Sequence, residues 1–170
     1  YHYKKINGKK YKEVEFNFKD ESELGEFLGI FSGDGSFFKA KGGHYNIRVH
    51  LGYYELKYVK YVRDKLGSWF GKMPYLSYSN YQGRPSSVQI CYHSKKIYGL
   101  IRFYLAWENV KTYSIRLKNL DLKRKEFNLG FLRGLIDTDG SYSRPKRSLS
   151  FSTTSWQLAN QANRIIFAYT

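Results

Sequence analysis

At 170 residues, with 42% hydrophobic and 19% aromatic side chains and only three prolines, the chain holds apolar material for one sizeable core or two small halves around a shared interface, which excludes an extended disordered protein. Its formal net charge of +15, from 29 Lys and Arg against 14 Asp and Glu, calls for a polyanionic partner; nucleic acid is the first candidate, and an anionic membrane or a ribosome is what charge alone leaves open. The single cysteine excludes an internal disulfide, no apolar run approaches the roughly 20 residues of a membrane helix, and residues 1–12 are polar and basic, so a cytoplasmic protein without membrane contact is expected.

Residues 1–21 read as an N-terminal extension in which 13–18 alternate, as a strand or an arm on the partner would. Residues 24–37 (LGEFLGIFSGDGSF) form a short apolar helix ending in an acid; Asp20 or Ser22 can cap it, and Glu21, Glu23 and Glu26 occupy its first turns as the helix dipole favours. Gly25, Gly29 and Gly33 recur every fourth residue and leave one side of this helix bare. Glycine inside a helix costs roughly 1 kcal/mol relative to alanine, so the stripe asks for another helix packed closely against it.

A hairpin follows, turning at Gly42-Gly43 between Lys39, Lys41 and a strand over 45–51. That strand sends Ile47, Val49 and Leu51 to the core and Asn46, Arg48 and His50 to the opposite face. These are residue types that read base edges and phosphates, although a solvated face would explain any one of them equally well. Residues 55–66 are expected to form a helix ending before Gly67 and covering the back of the sheet. A second strand pair, about 69–78 and 86–93, flanks a turn-rich stretch with Arg84, and again one face is polar, with Ser87 and Gln89 alternating with Val88 and Ile90. Lys95 and Lys96 open a helix with Ile97, Leu100, Ile101, Tyr104 and Leu105, completing an αββαββα unit over 22–107.

Residues 108–126, with Lys111, Arg116, Lys118, Lys123, Arg124 and Lys125, read as a charged linker running near a phosphate backbone, a solvated linker being the plain alternative. Residues 129–142 (LGFLRGLIDTDGSY) then repeat the first helix. Placing Asp139 on Asp34 aligns Leu24 with Leu129, Gly25 with Gly130, Gly29 with Gly134, Gly35 with Gly140 and Ser36 with Ser141, and Gly130, Gly134 and Thr138 form a second bare stripe. If the two helices lie side by side and point the same way, Asp34 and Asp139 meet at a pseudo-twofold axis, and Gly35 and Gly140 turn the chain out. A hairpin around Pro145 carrying Arg144, Lys146 and Arg147 follows, then a helix over 156–169 with Leu158, Ala162, Ile165 and Ile166 inward. This second half, 127–170, lacks the last two strands and helix that symmetry asks for; a truncated sequence is favoured over a genuinely minimal half.

Two carboxylates at close range repel unless a cation sits between them or one takes a proton. An all-oxygen site suits a hard divalent ion, and magnesium fits better than zinc in a chain with one cysteine and four scattered histidines. Ions held by shared carboxylates can activate water and stabilise the leaving oxygen in phosphodiester cleavage.

Residues 27–35 (FLGIFSGDG) and 132–140 (LRGLIDTDG) resemble the paired motifs of the LAGLIDADG homing endonucleases, of the single-chain, two-motif, archaeal or intron-encoded type. The first copy has Ser32 where the motif has its earlier aspartate; the later, catalytic acid is matched by Asp34 and Asp139. The resemblance implies an α+β fold, a pseudo-twofold pair of αββαββα halves meeting at the motif helices, with antiparallel sheets forming a DNA-binding saddle. It implies a monomeric, metal-dependent DNA endonuclease that uses Mg2+ or Mn2+ at Asp34 and Asp139 and breaks both strands at a long, asymmetric site, as in intron homing. Family members carry a basic residue near each cleavage centre, for which Lys96 is nominated with Lys95 as its rival. Base and backbone contacts are expected from Lys39, Lys41, Asn46, Arg48, His50, Arg84, Ser87, Gln89, Arg144, Lys146 and Arg147. The alternatives are an RNA-binding maturase that assists intron splicing and a DNA-binding regulator on the same scaffold; retention of both acids argues for cleavage.

Overall fold

A computed structural model of the chain describes residues 3–6, 9–40 and 43–169. It opens on a hairpin of β1 (Tyr3–Ile6) and β2 (Lys9–Lys12). The alternating stretch that follows is no strand: it ties the extension to the body through Glu15 N to Phe70 O (3.2 Å) and Asn17 N to Trp69 O (2.7 Å), with Val14 buried.

Helix α1 (Glu21–Asp34) is capped by Asp20, whose side chain accepts from Glu23 N at 2.9 Å. Residues Gly25 to Ser32 are all buried, so α1 is a central element rather than a surface helix. Its partner is α5 (Lys125–Asp139), and the glycine stripes make the contact. A Cβ on Gly25 would collide with the Phe127 carbonyl, one on Gly29 with the Phe131 carbonyl, and one on Gly33 would meet Thr138 and lie 3.0 Å from Asp139 Oδ2. Reciprocally, Cβ atoms on Gly130 and Gly134 would strike the carbonyls of Ser22 and Glu26. Neighbours advance together along both chains, so the helices run parallel and end together.

Around this axis the first half folds as αββαββα. Strand β3 (Gly35–Lys39) pairs with β4 (Tyr45–Gly52), α2 (Leu56–Trp69) crosses behind, and β5 (Tyr75–Tyr81), β6 (Arg84–His93) and α3 (Lys95–Tyr104) complete an antiparallel sheet of order β3-β4-β6-β5. Helix α2 continues through Gly67 instead of stopping before it: the missing side chain leaves room for Met73, and Trp69 is fully buried beyond it. The second hairpin is correspondingly later and tighter than expected. Gln82 (φ 49°) and Gly83 (φ 78°) alone form its turn, the two-residue geometry with both central φ positive. Ile47, Val49 and Leu51 of β4 and Val88 and Ile90 of β6 are buried against α2 and α3 through Val59, Val62, Leu66, Ile97 and Ile101.

Residues 108–126 are folded onto the second half rather than left as a solvated linker. Strand β7 (Leu105–Ala106) pairs with β8 (Arg116–Leu117), with α4 (Lys111–Ser114) between them. Gln161 clamps Leu117 by both its backbone groups at 2.9 Å, and Ser155 Oγ donates to Ile115 O at 2.7 Å. The second half then runs α5, β9 (Gly140–Ser143), β10 (Ser148–Phe151) and α6 (Trp156–Tyr169), with Leu158, Ala162 and Ile165 buried and Ile166, expected inward, 38% exposed. No helix among the described residues is long and apolar enough to cross a membrane.

Candidate active site and nucleic-acid interface

The parallel helices deliver Asp34 and Asp139 to one end of the molecule, each followed by a glycine that starts a strand. Gly35 (φ −79°) and Gly140 (φ −89°) are extended, not left-handed, so their role differs from the expected one. Each is needed for space: a Cβ at Gly35 would strike the Phe31 ring and carbonyl, and one at Gly140 the Ile136 carbonyl. Each cap N–H closes its helix, to Phe31 O and Ile136 O. Ser32 in place of the earlier aspartate is buried and donates back to Leu28 O at 2.8 Å. Its counterpart Asp137 points to a different neighbourhood, 4.0 Å from Arg133.

The carboxylates are not at ease. Burial, then the charge of Asp139, push the Asp34 carboxyl up to about 7, with Lys111 pulling in the other direction. Burial also raises Asp139, again opposed by Lys111. Lys111 is itself drawn down to about 8 by burial, although both acids favour its charge. This lysine is the residue that sequence reasoning misplaced. The first residue of α4, it donates from Nζ to Phe31 O (2.9 Å), Ser32 O (2.7 Å) and Gly33 O (3.2 Å), the last carbonyls of α1. With Ser32, Gly33, Asp139, Thr153 and Thr154 it lines a cavity of about 300 Å³. No local pattern marks it; a lysine among others in a charged stretch acquires this place only when α4 folds back on α1.

Lys95 and Lys96 are not brought to the pair. Ser94 N donates to Tyr45 O at 3.0 Å, whereas Gly35 faces Val49, four residues further along β4 and roughly 13 Å away at strand rise. Lys96 Nζ is 2.9 Å from Glu13 Oε2.

The polar face of the first sheet starts beside Asp34. Register places Arg48 between Ser36 and Cys91, and His50 opposite Gln89. His50 Nε2 shares a 2.7 Å hydrogen bond with Ser36 Oγ, and burial together with Arg48 and Lys111 lowers its pKa, which favours the uncharged ring. The Arg48 guanidinium lies 4.5 Å over the Phe38 ring. Gln89 Nε2 donates to Ser79 Oγ at 3.1 Å, and Ser87 stands between Gly52 and Ser79. Asn46 lies on this face but is only 5% exposed, which leaves little of it for a base edge. Lys39, 5.7 Å over Tyr45, and Arg84, at the β5–β6 turn, mark the ends of the sheet, and Lys41 lies outside the described residues. Arg144, Lys146 and Arg147 (φ 47°) crowd the exposed β9–β10 turn.

The donor set, two carboxylates, suits a hard divalent ion. Two carboxylates converge, one held well above its usual range by burial and the other's charge, which is the condition a shared cation relieves. Among the described residues no group of three or more His, Cys, Asp or Glu is placed to hold a metal; the two carboxylates are oxygen donors of the kind a hard divalent ion takes.

Comparison with known proteins agrees with this architecture. Residues 126–166 match the family model of the LAGLIDADG-like domain. Structures of mesophilic variants of the homing endonuclease I-DmoI superpose with a TM-score of 0.53 at 15% identity, over 86% of this chain and 76% of theirs. The crystal structure of I-DmoI in complex with DNA and Ca gives 0.55 at 15%, over 86% and 71%, and that with DNA and Mn gives 0.53 at 15%, over 87% and 78%. The chain thus has the α+β fold of the LAGLIDADG homing endonucleases. No curated protein matches it in sequence.

Proposed function

We propose that this protein is a site-specific, metal-dependent DNA endonuclease that breaks both strands at a long, asymmetric target. The observation that carries the reading is the convergence of Asp34 and Asp139 at the ends of two glycine-packed parallel helices, next to a polar sheet face on a chain of net charge +15. A merely structural helix pair has no use for two half-buried acids brought together at its end, where the charge of Asp139 adds to burial in raising Asp34.

In this reading Asp34 and Asp139 hold Mg2+ or Mn2+, which would supply charge stabilisation at the scissile phosphates and a water of lowered pKa. The protein's own groups orient the duplex. Arg48, stacked on Phe38, and Gln89 present donors to base edges, while Lys39, Arg84, Arg144, Lys146 and Arg147 neutralise phosphates on either side. Ser87 and Asn46 shape the same face. His50, bonded to Ser36 two residues past Asp34, can orient a water or a phosphate oxygen there. Lys95 and Lys96 then serve the flanking backbone, and Lys111 is the cation at the carboxylates.

The test is incubation of the purified protein with a plasmid library of random inserts, followed by sequencing of the ends produced. Breaks at one long, nearly non-palindromic site, abolished by EDTA and by Asp34→Asn or Asp139→Asn with binding retained, are expected. Normal cleavage by both asparagine variants overturns the metal site; absence of cleavage with tight, salt-sensitive binding to structured RNA replaces the enzyme by an RNA-binding role.

A further inference from the structure

The end of α1 is held from outside by a charge, the ammonium of Lys111. An ammonium has three N–H donors, and Lys111 directs its hydrogen bonds to three successive carbonyls, those of Phe31, Ser32 and Gly33. Its Nζ also lies 5.3 Å from the centre of the Phe31 ring. Gly33, whose carbonyl it holds, is the residue packed against Asp139, and Lys111 and Asp139 line the same cavity. A lysine reaching for a phosphate would be extended into solvent; this one is folded inward onto the negative end of α1, on the cavity that Asp139 also lines.

We propose that Lys111 is a resident counter-cation of the carboxylate pair: it holds Asp34 and Asp139 together while no divalent ion is bound, and it keeps the site's affinity for such an ion low until a DNA phosphate adds negative charge. The inference rests on the divalent-ion reading above. A fixed positive charge beside a cation site opposes loading by simple electrostatics, and the opposition shrinks once phosphate oxygens join the coordination sphere. Ion binding and DNA binding are then coupled, each strengthening the other by the same factor. Lys111 is a positioning residue here; it need touch neither DNA nor the ion.

A carbonyl cap without electrostatic function makes the opposite prediction for ion affinity, which separates the two. Calorimetric titration of the DNA-free protein with Mg2+ is expected to show weak binding for wild type, binding on the order of tenfold tighter for Lys111→Met, and near wild-type binding for Lys111→Arg, which keeps the charge. Equal or weaker binding by folded Lys111→Met overturns the inference while leaving the ion site standing. If Lys111→Met does not fold alone, Asp34→Asn is added: a counter-cation predicts that relieving the carboxylate repulsion restores folding, and a double variant no better than the single one refutes it. Wild type that binds no Mg2+, with or without DNA, instead removes the divalent-ion reading, and the folding comparison still decides the role of Lys111.

Discussion

Replacing Asp34 by asparagine should make the metal-free protein more stable at pH 8 while abolishing its use of metal. Burial and the Asp139 charge raise the folded-state value from 3.8 to about 7. Because that value is raised above the unfolded one, the carboxyl's contribution is fully present below about pH 4 and is lost as pH rises through 7. Three units at 1.36 kcal/mol each set an upper bound of about 4 kcal/mol, which solvent screening of a half-buried group reduces to about 2. For a chain of this size each kcal/mol moves the midpoint by about 2–4 °C, so Asp34→Asn should melt about 4–8 °C above wild type at pH 8 in EDTA. Scanning calorimetry at pH 8, 6 and 4 should show the gap closing with acid, and added Mg2+ should raise wild type alone. A variant that melts lower at pH 8, or a gap that does not change with pH, would refute the claim that this carboxylate is held against its own charge.

Other expectations concern packing and recognition. Gly134→Ala places a Cβ 2.6 Å from Ile30 N and against the Glu26 carbonyl, backbone atoms that cannot give way, so it should lose about 3 kcal/mol in urea unfolding despite its better helix propensity. Gly99→Ala, where a Cβ meets nothing within 4 Å, should gain about 0.5–1 kcal/mol in the same assay. Arg48→Ala should cost about 1–3 kcal/mol at one base position of the target, whereas Arg147→Ala should weaken all sequences alike and reduce the salt slope by about one, both read by binding across a salt series. By NMR His50 should titrate below 6.5, and Arg48→Ala should move it upward, since the Arg48 charge is among the causes of its depression.

The parts of this molecule legible in the sequence are those that repeat at short range. Glycines every fourth residue announce a close helix pair, a motif used twice announces the pseudo-symmetry and both acids, and strict alternation over β4 and β6 separates a core face from a polar one. Periodicity alone could not place element ends. Helix α2 runs on through Gly67 because Met73 packs against its bare side, and the β5–β6 turn shrinks to two residues because Gln82 tolerates a positive φ. The same limit applies to Asn46, assigned to the right face by alternation yet covered to 5% exposure by neighbours that alternation does not count.

What the sequence by itself determined is that two helices with bare stripes pack closely and that each ends in an acid; that they run parallel, so that the acids share one end, is read from the contacts of Gly25, Gly29 and Gly33. What the tertiary structure alone decided is the charge around them. Lys96, which local reasoning nominated, is at the far end of β4 and paired with Glu13, while Lys111, hidden in a charged stretch, is folded onto the carbonyls of α1. Backbone periodicity is written between residues a few positions apart, but electrostatic potential sums over whatever the fold brings within several ångströms, and Lys111 lies about eighty residues beyond the carbonyls it holds.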